Sequence, residues 1–232
     1  MATTTTTTTT TTVTTVTSEA PSKARLVVIL DRSGSMSSIK NEAIGGVNAF
    51  VDGQKKVPGE AQLTLVIFDN IIETVHNQVP LQLVPTLTEE VYIPRGMTAL
   101  YDAIGVTMTQ LLSEKQDPTV KTIVAILTDG AENASREFSG KAVADLIKTA
   151  ETEHNWEVLF LGANIDVEKV ATQLNIQGHK FASFAATAKG MADSYEAVNT
   201  VTSMYRSAFA TGAVLNASDV NLQAQVDQAA KQ

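Results

Sequence analysis

Apolar positions along this chain fall into runs and spacings that alternate between two periods. "RLVVIL" (Arg25 to Leu30) is continuously apolar after its first residue, as a strand buried on both faces requires. From about Met36 to Gln54, Ile39, Ala43, Val47, Phe50 and Val51 recur at helical spacing, with Lys40 and Asn48 opposite. "QLTLVIF" (Gln62 to Phe68) predicts a second strand. "FDNIIETV" predicts a third immediately after it, with Asp69 and Asn70 in a tight turn, so the pair forms a hairpin and gives the sheet an antiparallel edge. A polar loop with Pro80, Pro85 and Pro94 leads to a predicted helix over Ala99 to Leu112, with Leu100, Ile104, Met108 and Leu111 inward.

The alternation continues. A strand over Lys121 to Thr128 is followed by a helix from about Ser139 to Glu153, the strand "WEVLFLGA", a short helix around Val167 to Leu174 and a last strand near Lys180 to Phe184. Repeated βαβ units predict the α/β class: a doubly wound, mostly parallel sheet with one antiparallel edge strand and helices on both faces. Beyond Phe184, Met191, Tyr195, Val198, Val201, Tyr205 and Phe209 mark an amphipathic helix expected to cover the sheet. After Gly212 the polar tail is expected to fray.

Composition limits what this fold can serve. The 232 residues, 44% hydrophobic, suffice for one sizeable core. The expected division is an arm over 1–23, the α/β domain over 24–184, the covering helix over 185–211 and the tail over 212–232. Thr3 to Thr12 is an unbroken threonine run with too little apolar surface to offset the entropy of ordering, so a disordered tether is expected. Threonine's β-branching leaves a strand-adding arm as the other reading. A net charge of -8 argues against nucleic acid and anionic membranes as partners, since both call for Lys/Arg clusters. No apolar run reaches the roughly 18 residues of a membrane span, and no signal-like segment opens the chain, so a cytoplasmic or virion-associated protein is expected. There is no cysteine, and His76, His154 and His179 are too scattered for a metal site.

The chemistry is concentrated where strands end. In "VVILDRSGSM" the first strand runs into Asp31, with Ser33 and Ser35 at alternate positions; in "KTIVAILTDGAEN" a second buried strand runs into Asp129. The C-terminal ends of such strands are where open α/β sheets hold ligands, and the loop carrying Thr98 can close over the same edge. Each residue has a local explanation: the serines as turn or cap, Asp129-Gly130 as a turn, Thr98 as an N-cap with Asp102 in the first turn. Their coincidence at one edge points instead to a shared site. Two carboxylates and three hydroxyls form a hard, all-oxygen set suited to Mg²⁺, Mn²⁺ or Ca²⁺.

These residues carry a resemblance. "DRSGS" is similar to the Asp-x-Ser-x-Ser motif of the von Willebrand factor A domain, "GMTAL" to its separate threonine and "LTDG" to its second aspartate, in the same order over roughly Ala24 to Phe184. The set looks like a complete metal-ion-dependent adhesion site, and the chain is similar to compact members from bacteria and phages. The resemblance implies that Asp31, Ser33, Ser35, Thr98 and Asp129 bind Mg²⁺, with Mn²⁺ or Ca²⁺ as substitutes, directly or through water. It also implies that a protein partner's Asp or Glu completes the shell, without catalysis.

Rival readings are weighed on the same residues. An EF-hand loop starting at Asp31 would reach Glu42, but Met36 occupies the position where its turn needs glycine. An aspartate-nucleophile phosphohydrolase would want a carboxylate two residues after Asp31, where Ser33 stands; Glu132 and Asn133 suit that class and keep it as an alternative. No phosphate-binding glycine loop is present, and Gly45 and Gly46 are expected to permit close helix packing. A structural or virion-assembly role anchored by the threonine arm is the remaining alternative; oligomeric state is not written in the chain.

Overall fold

The computed structural model describes residues 23–231. The threonine tract, and with it both readings of the arm, lies outside the described residues.

The first strand, β1 (Lys23–Asp31), is followed by a 3₁₀ turn over Gly34–Ile39 and by α1 (Lys40–Gln54). Then come β2 (Glu60–Phe68), β3 (Ile72–Pro80), α2 (Leu100–Ser113), β4 (Val120–Thr128) and α3 (Gly140–His154). The chain continues through β5 (Glu157–Gly162), α4 (Val167–Gln173), β6 (Phe181–Ser183), α5 (Ala188–Thr211) and α6 (Leu222–Ala229). One six-stranded sheet has the order β3-β2-β1-β4-β5-β6. Among the described residues β2 and β3 alone pair antiparallel, as the hairpin reading expects.

Strand order reverses between β1 and β4, so the chain leaves these neighbouring strands in opposite directions and opens a crevice at their C-terminal ends. Alternation along β1 assigns each residue to a layer. Leu26, Val28 and Leu30 meet Val47 and Phe50 of α1 and Tyr195 and Val198 of α5, whereas Val27 and Ile29 meet Ile104 and Met108 of α2 and Val143 and Ile147 of α3. Both faces of the central strand are therefore buried, which accounts for its unbroken apolar run.

The amphipathic helix α5 lies alongside α1 over the sheet. A Cβ on Gly46 would stand 2.0 Å from the Tyr195 ring, so this glycine is what lets the two helices approach; at Gly45 a Cβ would meet nothing within 4 Å, and that glycine has no packing role. At the other end of the contact, buried Arg206 donates to Gln54 O at 2.8 Å and Gln54 Oε1 at 3.0 Å.

Two local expectations change. The helix foreseen from Met36 is interrupted at Ile39, whose backbone (φ -128°, ψ 23°) separates the 3₁₀ turn from α1. The polar tail contains α6, because Leu222, Val226 and Ala229 fall on one helical face and are buried there. Asn221 caps that helix, its side chain accepting from Ala224 N–H at 3.0 Å. Gln223 Oε1 accepts from Ser183 N–H at 2.8 Å, so α6 also shields the β6 edge. Among the described residues no helix is long and apolar enough to cross a membrane.

Candidate functional site

The five residues singled out in the sequence are brought to the C-terminal edge of β1 and β4. Asp31 ends β1 and is fully buried; its backbone is level with Phe68 of β2. Ser33 N–H donates to Asp31 Oδ1 at 2.6 Å, and the Thr128 hydroxyl donates to Asp31 Oδ2 at 2.6 Å from the end of β4. Behind it the Tyr92 hydroxyl donates to Asp31 O at 2.5 Å, fixing the strand end from the loop that precedes α2.

Ser33 and Ser35 leave the strand with their hydroxyls 3.1 Å apart, and Ser35 donates onward to Asp129 Oδ1 at 2.6 Å. A Cβ placed on Gly130 would lie 3.4 Å from Thr98 Oγ1 and 3.6 Å from Ser35 Oγ. Both hydroxyls therefore face the space that the missing side chain leaves open. Asp129 and Thr98 are themselves buried.

Thr98 does not cap α2, and Ala99 occupies the cap position without a side-chain bond. The first-turn amides are served from the loop after β4 instead: Tyr101 N–H donates to Glu132 Oε2 and Asp102 N–H to Ser135 Oγ. This leaves the Thr98 hydroxyl uncommitted to the helix. Asn133 fixes the Thr98 backbone from both sides, Thr98 N–H donating to Asn133 Oδ1 at 2.9 Å and Asn133 N–H to Thr98 O at 3.0 Å. Asp102 in turn accepts the amides of Arg136, Glu137 and Phe138. The Thr98 loop and the Asp129 loop thus form one hydrogen-bonded unit.

Burial raises the Asp31 carboxyl to about 6, against hydrogen bonds from Thr128 and Ser33 that pull it down; the Asp129 charge adds to the rise. Asp129 is also raised, chiefly by burial and against the Ser35 hydrogen bond. Among the described residues neither carboxylate stands in an ion pair. Arg32, between the motif residues, turns to Asp69 at 3.2 Å and Glu73 at 2.9 Å, and Arg95 reaches the same Asp69 oxygen at 2.8 Å. Two buried carboxylates without a counter-charge, beside three hydroxyls, make a donor set whose chemistry fits a hard divalent cation. Among the described residues no three His, Cys, Asp or Glu side chains gather as a metal cluster, so the hydroxyls are essential to this fit.

The supporting residues Tyr92, Thr128, Asn133 and Asp102 were not read from the sequence as parts of one site. Tyr92 is the one aromatic in the proline-bearing loop between β3 and α2, a signal for an anchor; in the sequence Glu132 and Asn133 point only to the phosphohydrolase alternative.

No protein-family model matches the chain, and no curated protein sequence matches it. Solved structures do match. Proximal thread matrix protein 1 from the mussel byssus is similar over 79% of this chain with 14% identity and a TM-score of 0.58; the chain spans only 47% of that protein. The manganese-loaded TRAP protein of Plasmodium vivax is similar over 71% of this chain and 69% of its own, with 13% identity and a TM-score of 0.53. The vWF domain of the type V pili tip protein Mfa5 from Porphyromonas gingivalis is similar over 80% of this chain and 97% of its own, with 9% identity and a TM-score of 0.60. At such identities the likeness is one of fold.

Proposed function

Taking the von Willebrand factor A-type Rossmann fold as given, we propose that the protein is a divalent-cation-dependent protein-binding module. Asp31, Ser33, Ser35, Thr98 and Asp129 would hold Mg²⁺, or Mn²⁺ or Ca²⁺ in its place. When bound, the cation supplies a positive centre able to take a carboxylate from an Asp or Glu of a partner protein. The observation that carries this reading is the pair Asp31 and Asp129, both buried and, among the described residues, without an ion-pair partner.

The chain's own residues have distinct tasks in this reading. Asp31 and Asp129 provide the negative charge, and the hydroxyls of Ser33, Ser35 and Thr98 add donors without adding charge, which preserves attraction for an incoming anion. Thr128, Tyr92 and Asn133 hold those donors in place. Ser33 also weighs against phosphohydrolase chemistry, because its hydroxyl cannot serve as the acid that protonates a leaving group near neutral pH. Among the neighbours, the TRAP protein was crystallised with manganese, which supports metal binding on this fold.

Isothermal titration of Mg²⁺ and Mn²⁺ into the protein and into Asp31→Ala tests the proposal. A single saturable heat in the wild type, weakened at least about tenfold in the variant, is expected for loss of one carboxylate ligand. Equally negligible heats in both would overturn it.

A further inference from the structure

Six large hydrophobic side chains are exposed among the described residues, and four of them, Ile71, Val91, Ile93 and Met97, lie on the two segments that frame the site. Ile71 stands in the turn between β2 and β3, and Met97 directly precedes Thr98. The segments touch: a Cβ on Gly96 would meet Asn70 Oδ1 at 2.2 Å, and Ile71 and Met97 are the next residues along the two touching segments. Ile71 is 54% exposed, Met97 51% and Ile93 49%. Tyr92, next to Ile93, is instead fully buried, so this stretch is anchored inward by one residue and displays the next.

The backbone under these side chains is fixed. Ile71 N–H donates to Asp69 Oδ1 at 2.6 Å, Ala99 N–H to Asp69 O at 3.0 Å and Arg95 N–H to Arg32 O at 2.8 Å. A rigid apolar display loses little conformational entropy on contact, and clustered exposed apolar residues mark interaction surfaces. Arg95 stands among them with its side chain 50% exposed; its Nε is held by Asp69, and its terminal amino groups make no hydrogen bond among the described residues. Asp69 balances the Arg95 charge, but the terminal N–H groups and the proposed cation offer an acidic segment hydrogen-bond donors and a positive centre.

We propose that Ile71, Ile93 and Met97, with Arg95, form a docking rim for a protein segment that carries an Asp or Glu beside a large apolar side chain. The inference rests on the metal reading above and adds a selectivity that a cation alone does not provide. The carboxylate is oriented to the cation edge while its apolar neighbour covers the Ile71 and Met97 tips. A purely acidic tail would leave those tips in water and bind less well.

A random peptide library selected on the full chain in Mg²⁺ and released by a chelator tests this. Recovered peptides are expected to share a carboxylate next to Leu, Ile, Phe or Met. The double variant Ile71→Ser/Met97→Ser should bind the best peptide at least about tenfold more weakly, as expected for loss of two apolar contacts, with its Mg²⁺ titration unchanged. Peptides without the apolar neighbour, or equal binding by the variant, would overturn the rim while leaving the metal reading intact. Absence of Mg²⁺ binding in the wild type would overturn both. Self-association, or adsorption to phosphatidylcholine vesicles, that depends on Ile71 and Met97 while no peptide is enriched would assign the rim to a second copy or a lipid surface and overturn the peptide assignment.

Discussion

Ser35 and Asp129 are 94 positions apart in the chain, and the serine hydroxyl donates to the Asp129 carboxylate at 2.6 Å. This bond ties the loop after β1 to the loop after β4. Ser35→Ala should therefore lower stability by only about 1 kcal/mol in urea unfolding, the usual worth of one hydrogen bond, yet weaken Mg²⁺ at least about tenfold by titration. Unchanged Mg²⁺ affinity would remove Ser35 from the site.

Acidity gives a second test. Burial lifts Asp31 from its usual 3.8 to about 6 and raises Asp129 too, so the folded protein takes up protons more readily than the unfolded chain. These groups favour folding at low pH, and their contribution is lost as pH rises through the Asp31 value of about 6. In chelator, Asp31→Asn should raise stability at neutral pH, by at most roughly 3 kcal/mol, with little effect below about pH 4. Mg²⁺ needs the ionised carboxylates, so its stabilisation of the wild type should grow over the same interval. A wild type whose unfolding midpoint in chelator exceeds that of Asp31→Asn at neutral pH would contradict this.

The neighbouring glycines of α1 should respond in opposite directions. Gly46→Ala drives a methyl into the Tyr195 ring and should cost about 1–3 kcal/mol by overpacking. Gly45→Ala meets open space and should gain about 0.5–1 kcal/mol from helix propensity. Thermal melts of the two single variants check this, and equal shifts would show that α5 does not press on α1 at Gly46.

Asn133 holds the Thr98 backbone from both sides, which makes it a positioning residue in the proposed site. Asn133→Ala should loosen the Thr98 loop, seen as faster hydrogen exchange at Thr98, and weaken Mg²⁺ about tenfold or more. Asn133→Asp, which keeps an acceptor for Thr98 N–H, should recover most of that loss. A fall in melting temperature with unaltered Mg²⁺ affinity in the alanine variant would reduce Asn133 to a structural role.

The central strands and the hairpin were legible in the sequence because they depend on local pattern: "RLVVIL" can only be buried on both faces, and Asp69-Asn70 can only turn. The candidate site drew notice at Asp31 and Asp129 for a related reason, since each is the first polar residue after such a run or lies one position beyond it. What escaped was set by contacts between distant segments. Nothing near Tyr92 in the sequence announces that its hydroxyl reaches Asp31 O, and nothing near Thr98 shows that Glu132 and Ser135 serve the α2 amides in its place. The helix α6 was missed because three apolar residues in a polar tail are a weak signal until α5 and β6 offer them a surface.

The register of β1 has a mechanical consequence. Its nine residues pair with β2 along their whole length and with β4 along nearly all of it, all three strands running the same way. Tension applied between the site at Asp31 and the Lys23 end acts along the strand axis, so the flanking hydrogen bonds are sheared together instead of being unzipped in turn. A load on the proposed cation edge would be shared by both rows of hydrogen bonds at once.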